Sequence, residues 1–474
     1  MRILYYNWIQ FDNAENKGGG VSLYQRNLIE VMCQNPDNEI FFLSSGREYC
    51  TPIADPYIQE TDNCFGNSCH SYTVVNSPVL ATGNYLNSSD LSVYLKETSL
   101  YRLIRDFISE IGGIDVIHFN NFEGLSLSVL RLKEAFPDVQ MIYSLHNYFP
   151  FCTQVNLWSH GCENCLDYQD GSRCPDCHDI GVSSAKIKEK LALDALYKSQ
   201  TEQLSLEEYQ RRQQAIDDKY SADKHKENGK ADVYRCFREE TATAFNRYVD
   251  CILAVSNRVR EIAVSMGIQT DKIRTSYIGT KFADRQLGRL HNISKDVFTI
   301  AYLGYMRQDK GFYFFLETCE KMSPKLCASC DVVFAAKASD PDAKERIEAL
   351  KNRFHGVFFY DGYSHENMEE ILASVHLGIV PVLWEDNLPQ IAIEMVSMGV
   401  PVLSSHLGGA KELTESENFC FRAGDFNDFE EKLMFLKEHP QILQEYFAKG
   451  RKLVTMTEHA KSLQKIYEGT KDRH

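Results

Sequence analysis

The chain has 474 residues, of which 43% are hydrophobic and 25% charged, as expected of a globular protein with two or three domains. Its formal net charge of -15 argues against general binding to nucleic acid or anionic membranes, because such binding uses Lys and Arg to neutralise phosphates. The sequence contains no apolar run of about 18 residues and no signal-peptide pattern. We therefore expect a cytoplasmic protein with reduced cysteines, and peripheral association with the inner face of a membrane stays open.

Strand-like and helix-like segments alternate along the chain. MRILYYNW, EIFFLSS, DVIHFN, QMIYSLH and CILAVS read as strands, and the pattern restarts after about residue 295 with VFTIAYLG, CDVVFAAK, GVFFYDG, LGIVPVLW and PVLSS. This alternation predicts an α/β fold with two Rossmann-like lobes, residues 1–292 and 293–455. Because open α/β sheets bind ligands at the carboxyl ends of their strands, the cleft between the lobes is the predicted active site.

A glycine-rich turn follows the first predicted strand. Residues 17–20 read Lys-Gly-Gly-Gly and precede the helical segment VSLYQRNLIEVM. Glycines let backbone amides approach a phosphate at a helix N-terminus, so Gly19 and Gly20 are candidate ligands of an anion. A tight turn without a ligand is the alternative, and the spacing does not match a Walker loop.

Two histidines end neighbouring predicted strands in the first lobe. His146 follows the buried run MIYSL, which places it at the carboxyl end of a strand and predicts a role in the cleft. His118 ends DVIHF and is either a second cleft residue or a packed, hydrogen-bonded histidine of the core.

Residues 151–180 form a cysteine-rich insert that contains two C-x2-C pairs separated by eight residues. Paired thiolates on tight turns are typical of tetrahedral zinc sites. The predicted zinc ligands are Cys162, Cys165, Cys174 and Cys177. Four thiolates would leave no open coordination position, so the metal would order a loop beside the cleft; disulfides, an iron–sulfur cluster and free thiols are the alternatives. Cys152 and His178 flank these pairs, whereas Cys327 and Cys330 adjoin a predicted buried strand and suggest core packing.

Residues 183–248 form a second insert, long, charged and helix-favouring, as in LEEYQRRQQAIDDKYSADKHKE. Solvated surface helices are one interpretation of such a segment. An arm that docks a partner or a second copy of the chain is the other.

In the second lobe, residues 303–312 read LGYMRQDKGF, a strand end followed by a polar turn into a helix. Cations at such a turn would suit a diphosphate, because the charge on a leaving nucleoside diphosphate has to be stabilised. Lys310 is the first candidate, and Arg307 is the second.

The strongest motif lies at residues 380–413, where a strand ends in an acidic pair and a helix carries a further acid. Seven residues separate Asp386 from Glu394, and Glu385 lies one position too far for the same spacing. A helix N-terminus with acids placed against its dipole would explain the first two acids but not Glu394. A Gly-Val-Pro-Val segment and a Gly-Gly turn follow.

These segments resemble glycosyltransferase family 4, whose second lobe carries Glu-x7-Glu, G-x-P-V, a G-G-x-x-E turn and a G-R-x-x-x-x-K-G segment. The resemblance covers about residues 1–160 and 249–470 and implies a GT-B fold, with the helix at 456–474 returning to the first lobe. The chain departs from the family at two positions, because Asp386 replaces the first Glu and Tyr305 replaces the usual Arg.

The resemblance also implies roles for individual residues. Asp386 and His146 would lie near the transferred sugar, with Glu385 as the alternate first acid, and Glu394 would accept hydrogen bonds from the nucleotide ribose. The backbone near Gly362 and Tyr363 would contact the base. The implied donor-binding residues are Gly19, Gly20, Arg307, Lys310, Gly362, Tyr363, Asn387, Leu388, Pro389 and Glu394.

The implied function is transfer of a sugar, with retention of configuration and without a catalytic metal, from a UDP- or GDP-sugar to a glycan or lipid-linked glycan in polysaccharide biosynthesis. The alternative is a noncatalytic GT-B subunit that binds a nucleotide-sugar or glycan within a transferase complex. A sugar-nucleotide epimerase of the same architecture is a third interpretation.

Overall fold

Short runs of apolar and aromatic residues form the buried strands at the centre of each lobe, and every residue of Val116–Phe119 and Cys251–Ala254 is buried. The computed structural model describes residues 1–12, 18–83, 86–177, 183–199, 204–221, 231–283, 297–364 and 366–469. Within these ranges, two sheets are formed by successive parts of the chain and are flanked by helices. The predicted α/β fold with two lobes is therefore confirmed.

The first lobe contains β1 (Arg2–Tyr6), β2 (Glu39–Glu48), β3 (Tyr57–Thr61), β4 (Cys69–Val75), β5 (Val116–Phe119), β6 (Gln140–Leu145), β7 (Trp158–Ser159), β8 (Glu163–Asn164), β9 (Cys251–Ala254) and β10 (Ile273–Thr275). In the described residues its sheet has the order β10-β9-β6-β5-β1-β2-β4-β3. Neighbours pair in parallel except β3 with β4, and β7 and β8 form a separate antiparallel hairpin inside the cysteine-rich insert.

The helices of the first lobe cover this sheet and continue into the charged insert. They are α1 (Gly19–Met32), α2 (Ser88–Lys96), α3 (Ser99–Glu110), α4 (Leu132–Ala135), α5 (Cys174–Cys177), α6 (Ser184–Ser199), α7 (Leu206–Lys219), α8 (Ala231–Tyr248) and α9 (Asn257–Ser265).

The helices of the charged insert differ in how much of their surface is buried. Helix α7 has no buried residue, and Lys186 and Lys190 of α6 both contact Asp217 of α7 at 2.8 Å, as expected of solvated helices. Helix α8 instead buries Phe237 and Phe245 against the first lobe. The apolar face of α8 therefore belongs to the core, whereas α6 and α7 form a charged extension.

The second lobe contains β11 (Phe298–Leu303), β12 (Cys330–Ala336), β13 (Gly356–Asp361), β14 (Leu377–Val380), β15 (Val402–Ser405) and β16 (Cys420–Phe421). Its described strands form a parallel sheet in the order β13-β12-β11-β14-β15-β16. The helices are α10 (Phe312–Lys321), α11 (Pro324–Cys327), α12 (Pro341–Ala349), α13 (Met368–Leu372), α14 (Gln390–Ser397), α15 (Phe426–Glu438), α16 (Ile442–Ala448) and α17 (Met456–Gly469).

Helix α17 lies against the first lobe and is joined to it by buried polar contacts. The Tyr467 hydroxyl lies 2.6 Å from His118 Nδ1, and His459 Nε2 lies 2.7 Å from the Tyr24 hydroxyl. All four side chains are buried. The end of the chain thereby fixes the elements that carry the first-lobe side of the cleft. In the described part of the chain, no helix is long and apolar enough to cross a membrane.

Candidate active site

A cavity of about 1530 Å³ separates the two lobes, and both lobes line it. The first lobe contributes the N-terminus of α1 and the end of β6, while the second contributes the segments after β11, β13 and β14. Since these segments follow the carboxyl ends of parallel strands, the cavity lies where an open α/β sheet binds its ligands.

The glycine turn opens α1 at the wall of this cavity. Gly18 has φ +90°, a backbone conformation that favours glycine, and a Cβ at this position would also lie 2.0 Å from Ser22 Oγ. Gly19, Gly20 and Ser22 line the cavity with the first amides of the helix, which form a site suited to an anion. Gln390 Nε2 of the second lobe donates to the Gly20 carbonyl at 2.6 Å, which shows how closely the lobes approach here. Lys17 lies outside the described residues.

His146 lines the cavity just after β6. Its Nε2 lies 3.2 Å from Asn120 Oδ1, and the Asn120 amide nitrogen is buried without a hydrogen-bond partner. Burial lowers the pKa of His146 to about 3, and the neighbouring His459 adds to this effect. The ring is therefore neutral at neutral pH. His118 is fully buried, its Nε2 lies 2.8 Å from Ser144 Oγ, and it does not line the cavity, so it is a core histidine.

Lys310 projects into the cavity from the turn that follows β11. Its Nζ donates to Asp386 Oδ2 at 2.6 Å and lies 4.9 Å from the centre of the Trp384 ring. Gly311 next to it has φ +73°, and a Cβ there would lie 1.8 Å from the Pro381 carbonyl oxygen. The turn carrying the cation is thus packed directly on the strand exit that carries the acid.

Asp386 and Glu394 are both buried and both line the cavity. Asn387, Leu388 and Pro389 connect them and also line it, and both polar side-chain atoms of Asn387 are buried without a partner in the protein. Behind this loop, a Cβ on Gly408 would lie 2.1 Å from the Asp386 carbonyl oxygen. The Gly-Gly turn of the motif therefore permits close packing against the acidic loop.

Glu385 does not line the cavity. Its carboxylate is 1% exposed and accepts two hydrogen bonds from Arg258, at 2.6 and 3.0 Å, and one from the Gly408 amide at 2.9 Å. Burial alone would raise the pKa of Glu385, but the Arg258 guanidinium and the amide hold it below its usual range. This carboxylate therefore joins the lobes and lies outside the cavity, and the role of Glu385 as an alternate catalytic acid stays a prediction.

Arg307, which was predicted to contact the donor diphosphate, lies outside the cavity. Its guanidinium forms an ion pair with Asp309 at 2.7 Å, its side chain is 57% exposed, and it does not line the cavity. Two other cations, Arg26 on α1 and Lys337 after β12, do line it. Sequence reasoning missed both, although the position of Lys337 at the carboxyl end of a strand is a usable signal.

Gly362 and Tyr363, which follow β13, also line the cavity. Burial raises the pKa of Tyr363, and the negative charge of Glu394 raises it further. The tyrosine therefore stays protonated and offers a hydroxyl donor and a ring face.

Further contacts hold α9 of the first lobe against the acidic loop. Ser256 Oγ donates to the Asn387 carbonyl at 2.8 Å, and the Asn257 and Arg258 amides donate to the Glu412 carboxylate at 2.9 and 2.8 Å. A carboxylate at the first turn of a helix is favoured by the helix dipole. Glu412, the acid of the Gly-Gly-x-x-Glu turn, thus has an interlobe partner.

The cysteine-rich insert lies beside the acidic loop. Asn164 donates from Nδ2 to the Leu383 carbonyl at 2.9 Å and accepts from the Glu385 amide at 3.1 Å. Of the predicted zinc ligands, Cys162 is exposed, whereas Cys165, Cys174 and Cys177 line one small cavity. Within the described ranges, no group of three or more His, Cys, Asp or Glu side chains is arranged so that it could hold a metal ion, and His178 lies outside those ranges. The zinc site remains a prediction.

The family comparison concerns the second lobe. Residues 297–439 match the family model described as Glycosyl transferases group 1. No curated protein sequence matches the chain.

Several solved structures share the fold over almost the whole chain. Sucrose-phosphate synthase from Thermosynechococcus elongatus has a TM-score of 0.58 at 16% identity, covering 99% of this chain and 98% of that one. An α,α-trehalose-phosphate synthase (UDP-forming) from Burkholderia xenovorans has a TM-score of 0.59 at 10% identity, covering 98% and 99%. An Escherichia coli structure described as trehalose-6-phosphate bound with UDP-2-fluoro glucose has a TM-score of 0.55 at 10% identity and full coverage of both chains. The family match of the second lobe supports a glycosyltransferase, and the solved structures show the shared fold.

Proposed function

We propose that this protein is a retaining glycosyltransferase that moves a sugar from a nucleotide-sugar donor to a hydroxyl of a glycan or lipid-linked glycan in polysaccharide assembly. One observation carries the proposal. Lys310 and the acidic motif with Asp386 and Glu394 come from separate parts of the second-lobe sequence, and all three residues line one interlobe cavity together with the N-terminus of α1.

The cavity suggests a placement for each part of the donor. Glu394 is a buried carboxylate that can accept hydrogen bonds from both ribose hydroxyls. Tyr363 also lines the cavity, close enough to Glu394 for that carboxylate to raise its pKa, and can contact the base. The diphosphate fits between the α1 amides at Gly19 and Gly20 and the Lys310 ammonium, where a helix N-terminus and a cation both favour negative charge.

The reaction would proceed on one face of the sugar. The bond from the anomeric carbon to the diphosphate oxygen breaks, the acceptor oxygen bonds to the same carbon, and its proton passes to the leaving phosphate. Lys310 and the α1 amides stabilise the charge on the leaving group. Asp386 lies next to Lys310 and can stabilise positive charge at the anomeric carbon, while neutral His146 can hydrogen-bond a sugar hydroxyl.

Protein cations and amides take the place of a divalent ion in this scheme. We therefore expect added Mg²⁺ or Mn²⁺ to leave the turnover number unchanged. A strict requirement for either ion would contradict this part of the proposal.

The first experiment is a screen of UDP-, GDP- and ADP-sugars for thermal stabilisation, since a ligand that binds the folded state raises its stability. UDP-sugars come first, because one of the structures with the same fold is described with UDP-2-fluoro glucose. The Glu394→Gln variant should bind the selected donor at least about tenfold more weakly, because it loses charged hydrogen bonds to ribose. Glu431→Gln, on the exposed face of α15, is the matched control. NMR of the product that shows an inverted anomeric centre would refute retention.

A noncatalytic subunit is the second candidate, favoured by Asp386 and Tyr305 standing where the resembled family has Glu and Arg. Incubation of the donor without acceptor separates the two functions, because a transferase with this site should slowly hydrolyse its donor. Binding of the donor without hydrolysis, and without transfer to any acceptor, would favour the noncatalytic subunit.

A further inference from the structure

A second, much smaller cavity lies in the cysteine-rich insert, away from the donor site. It encloses about 20 Å³, room for about one water molecule or one ion. Its wall contains four cysteines that come from three separate places in the insert. They are Cys152, Cys165, Cys174 and Cys177.

This set differs from the four cysteines that the two C-x2-C pairs predict. Cys162 is exposed, and its Sγ donates to the Ser159 carbonyl. Cys152, which the spacing places outside the pairs, is buried in the wall of the cavity. Cys152 therefore lines the cavity with Cys165, Cys174 and Cys177, and Cys162 does not.

Arg238 of α8 is the second, independent feature of this cavity. The residue is 7% exposed, one of its terminal nitrogens is buried without a hydrogen-bond partner, and the other donates to Cys174 Sγ at 3.7 Å. No carboxylate among the described residues forms an ion pair with it, and the ring of Tyr168 covers the guanidinium at 3.9 Å. A buried cation without a counter-charge is unfavourable. When all four thiols are neutral, no negative charge among the described residues of the site balances the Arg238 guanidinium.

A divalent metal bound by four thiolates supplies that charge, because the complex is negative overall. Two sulfurs already accept N–H hydrogen bonds, Cys174 from Arg238 and Cys177 from the His160 amide at 3.4 Å. Donors of this kind commonly surround metal-bound thiolates. Among the described residues, no three His, Cys, Asp or Glu side chains are arranged to hold a metal. Metal binding therefore requires the four thiols to turn towards the cavity.

We infer that Cys152, Cys165, Cys174 and Cys177 bind one zinc ion, and that Arg238 balances the charge of the complex. Four thiolates are a ligand set typical of structural zinc. The ion has no open position for chemistry and orders the insert. Cys165 directly follows Asn164, whose side chain holds the backbone of Leu383 and Glu385, so the ion fixes one flank of the acidic loop.

The test compares metal content in the full chain and two matched Cys→Ser variants. The wild-type protein and Cys162→Ser should each contain about one zinc per chain by plasma mass spectrometry, whereas Cys152→Ser should contain much less. If Cys152→Ser retains zinc and Cys162→Ser loses it, the ligand is Cys162, as the C-x2-C spacing predicts, and our assignment of Cys152 is wrong. Wild-type protein without zinc, or brown protein with iron and absorbance near 400 nm, would overturn the zinc assignment.

A measurement on the wild-type protein alone covers the case in which Cys152→Ser does not fold. Alkylation followed by mass spectrometry should label Cys162 at once and the half-buried Cys174 and Cys177 only after a chelator is added. Equal labelling of all three before the chelator would contradict the site. Because neither readout uses donor or acceptor, a failure here is distinguishable from failure of the proposed transferase activity.

Discussion

Replacement of Lys310 by Met tests the donor site most directly. The Lys310 side chain is 28% exposed, and its ammonium donates a hydrogen bond to the nearly buried carboxylate of Asp386 at 2.6 Å. A charged hydrogen bond of this kind contributes about 1.5–3 kcal/mol, and tenfold in rate corresponds to about 1.4 kcal/mol. Loss of the contact to the leaving diphosphate should therefore lower kcat/KM about 10- to 150-fold. Lys321→Met, at the exposed end of α10, is the matched control and should be unaffected.

The assay is release of nucleoside diphosphate at subsaturating donor, with donor affinity measured separately by calorimetry. A double-mutant cycle with Asp386→Asn then separates the roles of the two side chains, since residues in contact are not additive. If both act in one site, the double variant should lose less than the product of the single losses. Unchanged kcat/KM in Lys310→Met, or losses that multiply fully, would refute the placement of the diphosphate beside this lysine.

Three further predictions concern the framework of the site. The pKa of buried His459 is lowered to about 4 by burial, below its unfolded value. Between about pH 6.5 and 4 the unfolded chain therefore binds one more proton at this site, and His459 by itself should cost about 1.4 kcal/mol of stability for each unit by which the pH falls. Denaturation midpoints in His459→Gln should show a shallower pH slope, and an identical slope would contradict this assignment. Arg258→Ala should destabilise by about 3 kcal/mol, because it leaves the Glu385 carboxylate buried and unpaired. Urea unfolding of the double variant with Glu385→Gln should recover part of this loss, and no recovery would count against the pair. Gly408→Ala should lower stability and activity far more than Gly424→Ala. Both glycines have positive φ, but only a Cβ at Gly408 would meet backbone, 2.1 Å from the Asp386 carbonyl oxygen. Equal melting temperatures of the two variants would show that the positive φ, and not this contact, sets the cost.

Sequence patterns predicted the fold because both sheets rest on local signals. Runs such as Phe298–Leu303 and Val402–Ser405 are buried along their whole length, as strands covered on both faces have to be. The antiparallel strand Tyr57–Thr61 was not predicted, because an edge strand that is mostly exposed carries no continuous apolar run. The helix Ala231–Tyr248 was assigned to a solvated insert, because its many charged residues make the single apolar stripe that it buries difficult to recognise in the sequence.

The donor site likewise contains residues that the sequence predicted and contacts that only the tertiary structure explains. The spacing of Asp386 and Glu394 on a strand exit and the following helix fixes their separation locally. The sequence predicted both as donor-site residues together with Lys310, and the structure places all three in the lining of one cavity. Whether Glu385 or its neighbour faces that cavity depends on Arg258, which comes from the other lobe and has no signal in the motif.

What the sequence by itself determined, then, is the succession of strands, the glycine turn of the first lobe and the acidic motif of the second, because each is set by residues close together in the chain. Only the tertiary structure decided which side chains meet across the cleft and which cysteines share a cavity. Arg258 with Glu385, and Cys152 with Arg238, are separated by more than 80 residues. Such pairs form only when the packing of whole elements brings them together.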